Sequence, residues 1–297
     1  MLDVLDVLDV QDANASVRAG SSDAGAASIS APSDRLGTIL NYKADRGPVA
    51  YTVAVFALRM AIWALAAPLV CAFSVIPLAV LGMFIAPINH HHQHLNSFRA
   101  PWLNRLYDLA LALQCGVPPY GWVLHHNLGH HVNYLNQRPH QNPDESRWTR
   151  ADGSLMGRLE YSIDLLFHYQ IDMVRVGLKH PKYFRYFLLM KLPVWGLIGV
   201  GLWLRPLETA LVFLLPSFIA LFHTMWATYE HHAGCVPTDH FDASRNRDNP
   251  YYNWMTGNLG LHTAHHKRPG LHWSLLPELH ARIQHQIPEE QIYKGFW

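Results

Sequence analysis

Charged residues and cysteines are scarce in this sequence, and their scarcity excludes several classes of protein. Only 15% of the 297 residues are charged, whereas an average soluble domain has roughly 25%. The net charge of +1 gives no electrostatic basis for binding nucleic acid. The three cysteines, Cys71, Cys115 and Cys235, form no Cys-x-x-Cys pair. This argues against both a disulfide framework and a thiolate metal site.

Apolar residues make up 50% of the chain and are concentrated in two long runs. About 20 apolar residues cross a bilayer core, so each run is long enough for two helices, with Pro68 and Pro206 in the turns. The sequence therefore predicts an all-α integral membrane protein with four transmembrane helices in two hairpins, and a cytoplasmic helical cap carrying the histidines. The predicted spans are about 49–66, 69–88, 186–204 and 208–228.

The first 46 residues are predicted to be a disordered tail. They contain a threefold Leu-Asp-Val repeat and then an Ala/Ser/Gly/Asp-rich stretch, which has too little apolar mass to offset the entropy of ordering. Aspartates stand where a signal peptide would carry lysine or arginine. The predicted membrane domain then extends over 47–290, and 291–297 form a C-terminal tail.

The distribution of lysine and arginine predicts the orientation of the chain. Most of these residues lie in 89–182 and from His231 onward, and few lie in the turns within the hairpins. By the positive-inside rule, both segments and the N-terminus are cytoplasmic. An even number of crossings keeps all histidine clusters on one side of the membrane, which we expect to be a bacterial inner membrane.

Two features of this arrangement have alternative interpretations. Arg59 lies near the centre of the first span, where a charge is costly. It is either functional or directed into the bundle interior. Residues 159–178 have the 3.6-residue periodicity of an amphipathic helix, which lies either on the membrane or in a soluble cap.

Histidine is unusually frequent, with 21 residues, and three short clusters have helical spacing. Histidines three or four residues apart on a helix share one face and can bind the same ion. Imidazole nitrogen suits iron, zinc, copper and nickel. Eight ligands are too many for one ion, so the clusters predict a nitrogen-rich site for two ions. The predicted ligands are His90 and His94 in box 1, His126, His130 and His131 in box 2, and His262, His265 and His266 in box 3.

These three boxes resemble the histidine boxes of the membrane fatty acid desaturase and hydroxylase superfamily. Box 1 follows an apolar hairpin, box 2 comes without a further span, and box 3 follows the second hairpin. The run from His265 to Trp273 is also similar to the family's third-box surroundings. The resemblance covers roughly residues 48 to 290 and indicates a bacterial-type fatty acid desaturase.

The resemblance implies two non-haem iron ions that use O2 and two external electrons to attack an unactivated C–H bond. The implied substrate is a fatty acyl chain or another long hydrocarbon. The electron donor would be a separate ferredoxin-, rubredoxin- or cytochrome-like protein. The family often has a further ligand before the third box, and here His231 is predicted over His232, with Glu230 as an orienting residue.

Several alternatives remain open at this point. His91 could replace His90, and His125 could replace His126. The favoured reaction is desaturation because alkane hydroxylases have more spans. The alternatives are hydroxylation of an alkane or fatty acid, and formation of a terminal alkene or alkyne. A histidine-rich metal transporter is the non-enzymatic alternative, disfavoured because the spans hold few ionisable residues.

Overall fold

The computed structural model describes residues 39–138 and 143–296, which are mostly helical. The predicted tail up to residue 38, with the Leu-Asp-Val repeat, lies outside the described residues. The longer helices are α1 (Arg46–Leu65), α2 (Pro68–His94), α3 (Pro101–Cys115), α5 (Arg158–Lys179), α6 (Pro181–Leu204) and α8 (Leu215–His232). The shorter ones are α4 (His131–Asn133), α7 (Pro206–Thr209), α9 (Pro250–Thr256), α10 (His262–Lys267) and α11 (Leu276–Ile283).

Two π-helices interrupt this pattern, at Val123–His130 and Ala210–Leu214. Two short strands, β1 (Asn246–Arg247) and β2 (Ile292–Tyr293), pair in parallel. β2 therefore lies within the segment predicted as the C-terminal tail. Short 3₁₀ turns occur at Lys43–Asp45, Trp273–Leu275, Gln284–Gln286 and Glu289–Gln291.

Four helical segments of the described chain are long and apolar enough to cross a membrane: Lys43–Leu65, Pro68–His94, Pro181–Leu204 and Pro206–His232. The predicted fold class, a helical membrane protein with two hairpins and a histidine-rich site, is confirmed. The described residues divide into two compact units. We call 39–122 with 181–224 the membrane unit, and 123–180 with 225–296 the histidine unit.

In the membrane unit, both hairpins turn at a proline that begins the second helix. Pro68 and Pro206 occupy first-turn positions, where the missing N–H costs no hydrogen bond. Arg205 joins the two turns, since its guanidinium donates to the carbonyl oxygens of Trp63, Ala64 and Ala66. These carbonyls end α1 and have no partner within the helix, so the cation satisfies them and complements the helix dipole.

Arg59 lies in the interior of the membrane unit and is fully buried. Its guanidinium donates to the carbonyl oxygens of Leu78 at 2.8 Å, Gln114 at 3.1 Å and Val212 at 3.1 Å. Two of these acceptors are four residues before prolines, Pro118 and Pro216. Pro216 has no N–H for the Val212 carbonyl, and Gln114 is in the last turn of α3, which ends at Cys115, where carbonyls have no partner within the helix. Arg59 supplies the donors that those helices lack. Of the two interpretations of Arg59, the structure supports the one directed into the bundle.

The histidine unit is built on a separate apolar core. Leu261 and Ala264, beside and on α10, pack with Leu276, Leu279 and Ile283 of α11. This packing fixes α10, which carries the whole of box 3. The π-helix Val123–His130 and α4 carry box 2.

Candidate metal centre

Box 2 lies on a π-helix, and this changes which of its histidines face one another. The side chains of His126 and His131 meet with their Nε2 atoms 3.0 Å apart. They are five residues apart, which matches the i to i+5 hydrogen bonding of a π-helix. The four-residue spacing of an α-helix predicts that His126 pairs with His130. The structure instead separates His130 from this pair.

His265 of box 3 joins His126 and His131, and we call these three residues cluster A. The Nε2 atom of His265 lies 3.0 Å from that of His131 and 3.5 Å from that of His126. All three side chains are buried.

A second group, cluster B, consists of His130, His232, His262 and His266. Its Nε2 atoms are separated by 3.1 Å between His130 and His232, and by 3.0 Å between His232 and His266. His262 Nε2 lies 3.0 Å from that of His232 and 3.1 Å from that of His266. Imidazole nitrogens bind a metal ion at about 2.1 Å, so donors around one ion lie about 3.0–3.4 Å apart. The separations given for cluster B lie in this range, and those of cluster A extend from 3.0 to 3.5 Å.

The proton positions in cluster B show why a cation fits there. His130 Nδ1 donates to the Asp144 carboxylate at 3.1 Å, and His232 Nδ1 donates to the carbonyl of Ala243 at 2.9 Å. When both rings are neutral, each carries its one N–H at Nδ1, and both Nε2 atoms present lone pairs. Those lone pairs then face each other at 3.1 Å, an arrangement that a bound cation stabilises.

His262 and His266, the remaining residues of cluster B, are held in the neutral form. Burial, together with the neighbouring histidines, holds the pKa of His262 and of His266 well below the usual 6.5. Neutral imidazole is the form that binds a metal.

Asp144, in the loop after box 2, is a further residue of this site and lies 3.1 Å from His130 Nδ1. Its carboxylate accepts hydrogen bonds from His130 Nδ1, from the Ser146 N–H at 2.8 Å and from Gln137 Nε2 at 3.0 Å. This fixes the tautomer and the ring orientation of His130, which is the usual role of a carboxylate behind a metal-binding histidine. No spacing rule links residues 130 and 144, so only the fold reveals the pair.

His232, rather than the predicted His231, contributes its Nε2 atom to cluster B. The His231 ring instead stacks on His262 with centroids 4.0 Å apart. The buried Trp148 side chain stacks on the His232 ring, with ring centroids 5.2 Å apart. Glu230 forms ion pairs with Arg158 and Arg247, so the predicted orienting carboxylate is used in a different contact.

Box 1 belongs to the membrane unit. His90 and His94 lie at the end of α2 with ring centroids 4.6 Å apart, and both are buried. Their shared face agrees with the predicted i, i+4 spacing. The intervening His92 accepts from the Ser97 N–H through Nδ1 and has a structural role.

His125, the competitor of His126, is buried, and burial lowers its pKa to about 4. Its ring lies 6.4 Å from Tyr169. It belongs to neither metal-binding group found among the described residues.

Comparison with known proteins identifies the family. Residues 48–296 match the sequence model of a family described as fatty acid desaturase. The protein belongs to the fatty acid desaturase family. No curated protein and no solved structure matches the chain. The resemblance inferred from the three histidine boxes is therefore confirmed.

Membership of the fatty acid desaturase family also confirms the class of enzyme. The family consists of membrane non-haem di-iron oxidoreductases, and the histidine groups of this chain could hold metal ions. Together they support a di-iron oxidase acting on fatty acyl chains. The metal transporter alternative is set aside.

Proposed function

We propose that this protein is a fatty acid desaturase that introduces a carbon–carbon double bond into a fatty acyl chain. The observation that carries the proposal is the pair of neighbouring imidazole clusters, each with Nε2 atoms spaced for one ion. Two ions side by side can clamp and activate a small molecule such as O2. The family supports the acyl substrate, and four spans favour a desaturase over an alkane hydroxylase.

The proposed ligands follow the two clusters. His126, His131 and His265 bind one iron ion. The other is bound by His130, His232, His262 and His266. His232 takes the place of the predicted His231. We retain His90 and His94 as further ligands because of their sequence spacing.

The residues of the chain hold and orient the metal ligands, and the bound irons supply the redox chemistry. In the neutral rings of His130 and His232, the hydrogen bonds from Nδ1 to Asp144 and to the Ala243 carbonyl leave Nε2 as the atom that can bind a metal. Every histidine of the two clusters is buried, so bulk water has little access to the ligand set. Dry surroundings limit side reactions of reduced oxygen.

The membrane location of the site and its electron donor are inferred from the sequence. The site and the N-terminus are proposed to face the cytoplasm of a bacterium from its inner membrane. No cysteine-rich iron module occurs in the chain, whose three cysteines are buried. Two electrons per cycle therefore come from a separate ferredoxin-, rubredoxin- or cytochrome-like donor.

The test is a comparison of lipids and hydrocarbons, by mass spectrometry, in cells with and without the gene. An acyl chain lighter by two hydrogens at one position supports the proposal. A new hydroxyl group would instead assign hydroxylation, and a terminal alkene would assign the third reaction. The His130→Ala variant should abolish the new product, while the exposed His168→Ala variant should retain it.

A further inference from the structure

The helix α5, Arg158–Lys179, carries an apolar surface that the chemistry at the metal clusters does not use. Six large apolar side chains on it are exposed, with exposed fractions of 71% for both Phe167 and Leu178. At about 100° per residue, the six lie within an arc of about 120° along the whole helix. They are Leu159, Ile163, Phe167, Ile171, Val174 and Leu178. We call this arc the α5 strip.

The α5 strip is not the face by which the helix packs into the protein. That contact is made by the opposite side, where Tyr161, Leu165, Met173 and Val176 are buried. An ordinary helix of a soluble cap buries one apolar face and exposes polar residues on the other. Here a second apolar face is exposed, so the soluble-cap interpretation of 159–178 does not fit. Contiguous apolar surface of this extent marks an interaction site.

The start of α5 is fixed beside a spanning segment. The Arg158 guanidinium lies over the Trp226 ring, 5.2 Å from its centroid, and the Tyr161 hydroxyl lies 3.3 Å from Thr228 Oγ1. Trp226 and Thr228 are in the last two turns of the apolar segment Pro206–His232. Trp226 and Thr228 therefore lie where that segment leaves the bilayer.

The end of α5 is fixed by the chain itself. Only His180 separates Lys179 from Pro181, where the spanning segment Pro181–Leu204 begins. A helix that meets one spanning segment at its start and continues into another at its end has both ends at the membrane surface. Its 22 residues then extend for about 33 Å along that surface.

The polar residues of α5 are placed as this orientation requires. Asp164, His168, Arg175 and Lys179 follow one edge of the α5 strip, at angles of about 140–200° from Leu159. Glu160, in the first turn, lies within the arc at about 100° and forms an ion pair with Arg150. Long basic side chains at such an edge can reach lipid phosphates while their stems cover apolar surface. A protein partner that docks transiently would instead be expected to meet a charged surface.

We propose that α5 lies in the membrane interface, with the α5 strip inserted into the boundary between headgroups and acyl chains. Its occupant is the lipid bilayer itself. The geometry is independent of the metal ions and of the reaction, so it goes beyond the proposed function.

The test uses spin labels on the full-length protein in nanodiscs of phosphatidylcholine. Phe167→Cys and Leu178→Cys place labels on the strip. His168→Cys and Lys179→Cys are controls one residue away on the polar edge. The three native cysteines are buried, so the labelled wild-type chain measures the background. Collision rates are measured with O2, which concentrates in the bilayer, and with a water-soluble nickel chelate.

The proposal expects the ratio of O2 to nickel collisions to be several-fold higher at 167 and 178 than at 168 and 179. Equal ratios within each pair would overturn it, because the strip would then face water. Labels at 167 and 178 that are shielded from both reagents would also overturn it, in favour of a second copy or another protein on the strip.

Discussion

His126, on the π-helix Val123–His130, faces His131, the first residue of α4, with their Nε2 atoms 3.0 Å apart. On an α-helix the same two side chains would point about 140° apart. Because of the π-helix, neighbouring histidines of box 2 contribute to different clusters. His126 and His131 belong to cluster A, and His130 belongs to cluster B. π-helices are rare in proteins, and those that occur are frequently at functional sites.

The two adjacent histidines at the end of α8 should behave differently when each is replaced. We expect His232→Ala to lose most of the iron of cluster B and most of the activity, because its Nε2 atom lies at 3.0–3.1 Å from three others. His231→Ala should retain iron, since its ring only stacks on His262. Iron content and product formation of the two purified variants decide this. Equal losses of iron and activity in the two variants would show that α8 is not rotated so that His232 alone faces cluster B.

Asp144→Asn should weaken iron binding without unfolding the chain. The carboxylate can only accept from His130 Nδ1, whereas an amide can either accept or donate, so the ring loses its fixed tautomer and a charge-assisted hydrogen bond. Loss of such an orienting group typically weakens metal binding by about 10–100-fold. Titration of iron into the apo protein measures the change, with the exposed Asp152→Asn as the control. An unchanged affinity would contradict the role given to Asp144.

Glu145 should make the stability of the protein depend on pH. Burial, and then the neighbouring Asp144 carboxylate, raise the pKa of Glu145 from 4.5 to about 7. Its carboxyl lies against Gly129, where a Cβ atom would be 2.6 Å from Oε2. Because the folded pKa exceeds the unfolded one, the contribution of Glu145 to stability is complete below about pH 4.5 and is lost as the pH rises through about 7.

The substitution Glu145→Gln removes this titration. We expect it to raise the free energy of unfolding at pH 8, by up to roughly 3 kcal/mol, and to change it little at pH 5. Thermal unfolding of both proteins in the same detergent at the two pH values measures the difference. A gain that is the same at pH 5 and pH 8 would show that the effect is one of packing.

Arg59→Met should destabilise the membrane unit. The change leaves the carbonyls of Gln114 and Val212 without the donors that Arg59 provides, because α3 ends at Cys115 and Pro216 has no N–H. Each buried acceptor without a partner costs about 1–3 kcal/mol, so the loss for the two should be roughly 2–6 kcal/mol. Thermal unfolding in detergent measures it, with the exposed Arg46→Met as the control. Equal melting temperatures for the two variants would refute the role of Arg59.

Much of this architecture is predictable from the sequence, because the long apolar runs and the histidine spacing are strong, local signals. Long apolar runs give the spanning helices, with turns at Pro68 and Pro206, since hydropathy alone decides what a bilayer accepts. Within box 3, His262 and His266, four residues apart on a helix, share a face with their Nε2 atoms 3.1 Å apart. His265, which the three-residue spacing pairs with His262, instead belongs to cluster A.

Other features depend on tertiary structure and have no local signal. The π-helix of box 2 regroups His126 with His131, and nothing in the spacing distinguishes it from an α-helix. Adjacent histidines on a helix point about 100° apart, so the choice between His231 and His232 depends on how α8 is rotated. Asp144 reaches His130 only because the intervening loop returns to the site.

The central claim is that the two imidazole clusters hold two iron ions. The most direct measurement is the metal content of the purified protein by plasma mass spectrometry, with Mössbauer spectroscopy on protein grown with ⁵⁷Fe. The account predicts two irons per chain, and the loss of iron in His131→Ala but not in the neighbouring bystander variant His125→Ala. A chain that is active with one metal ion, or that contains zinc in place of iron, would contradict it.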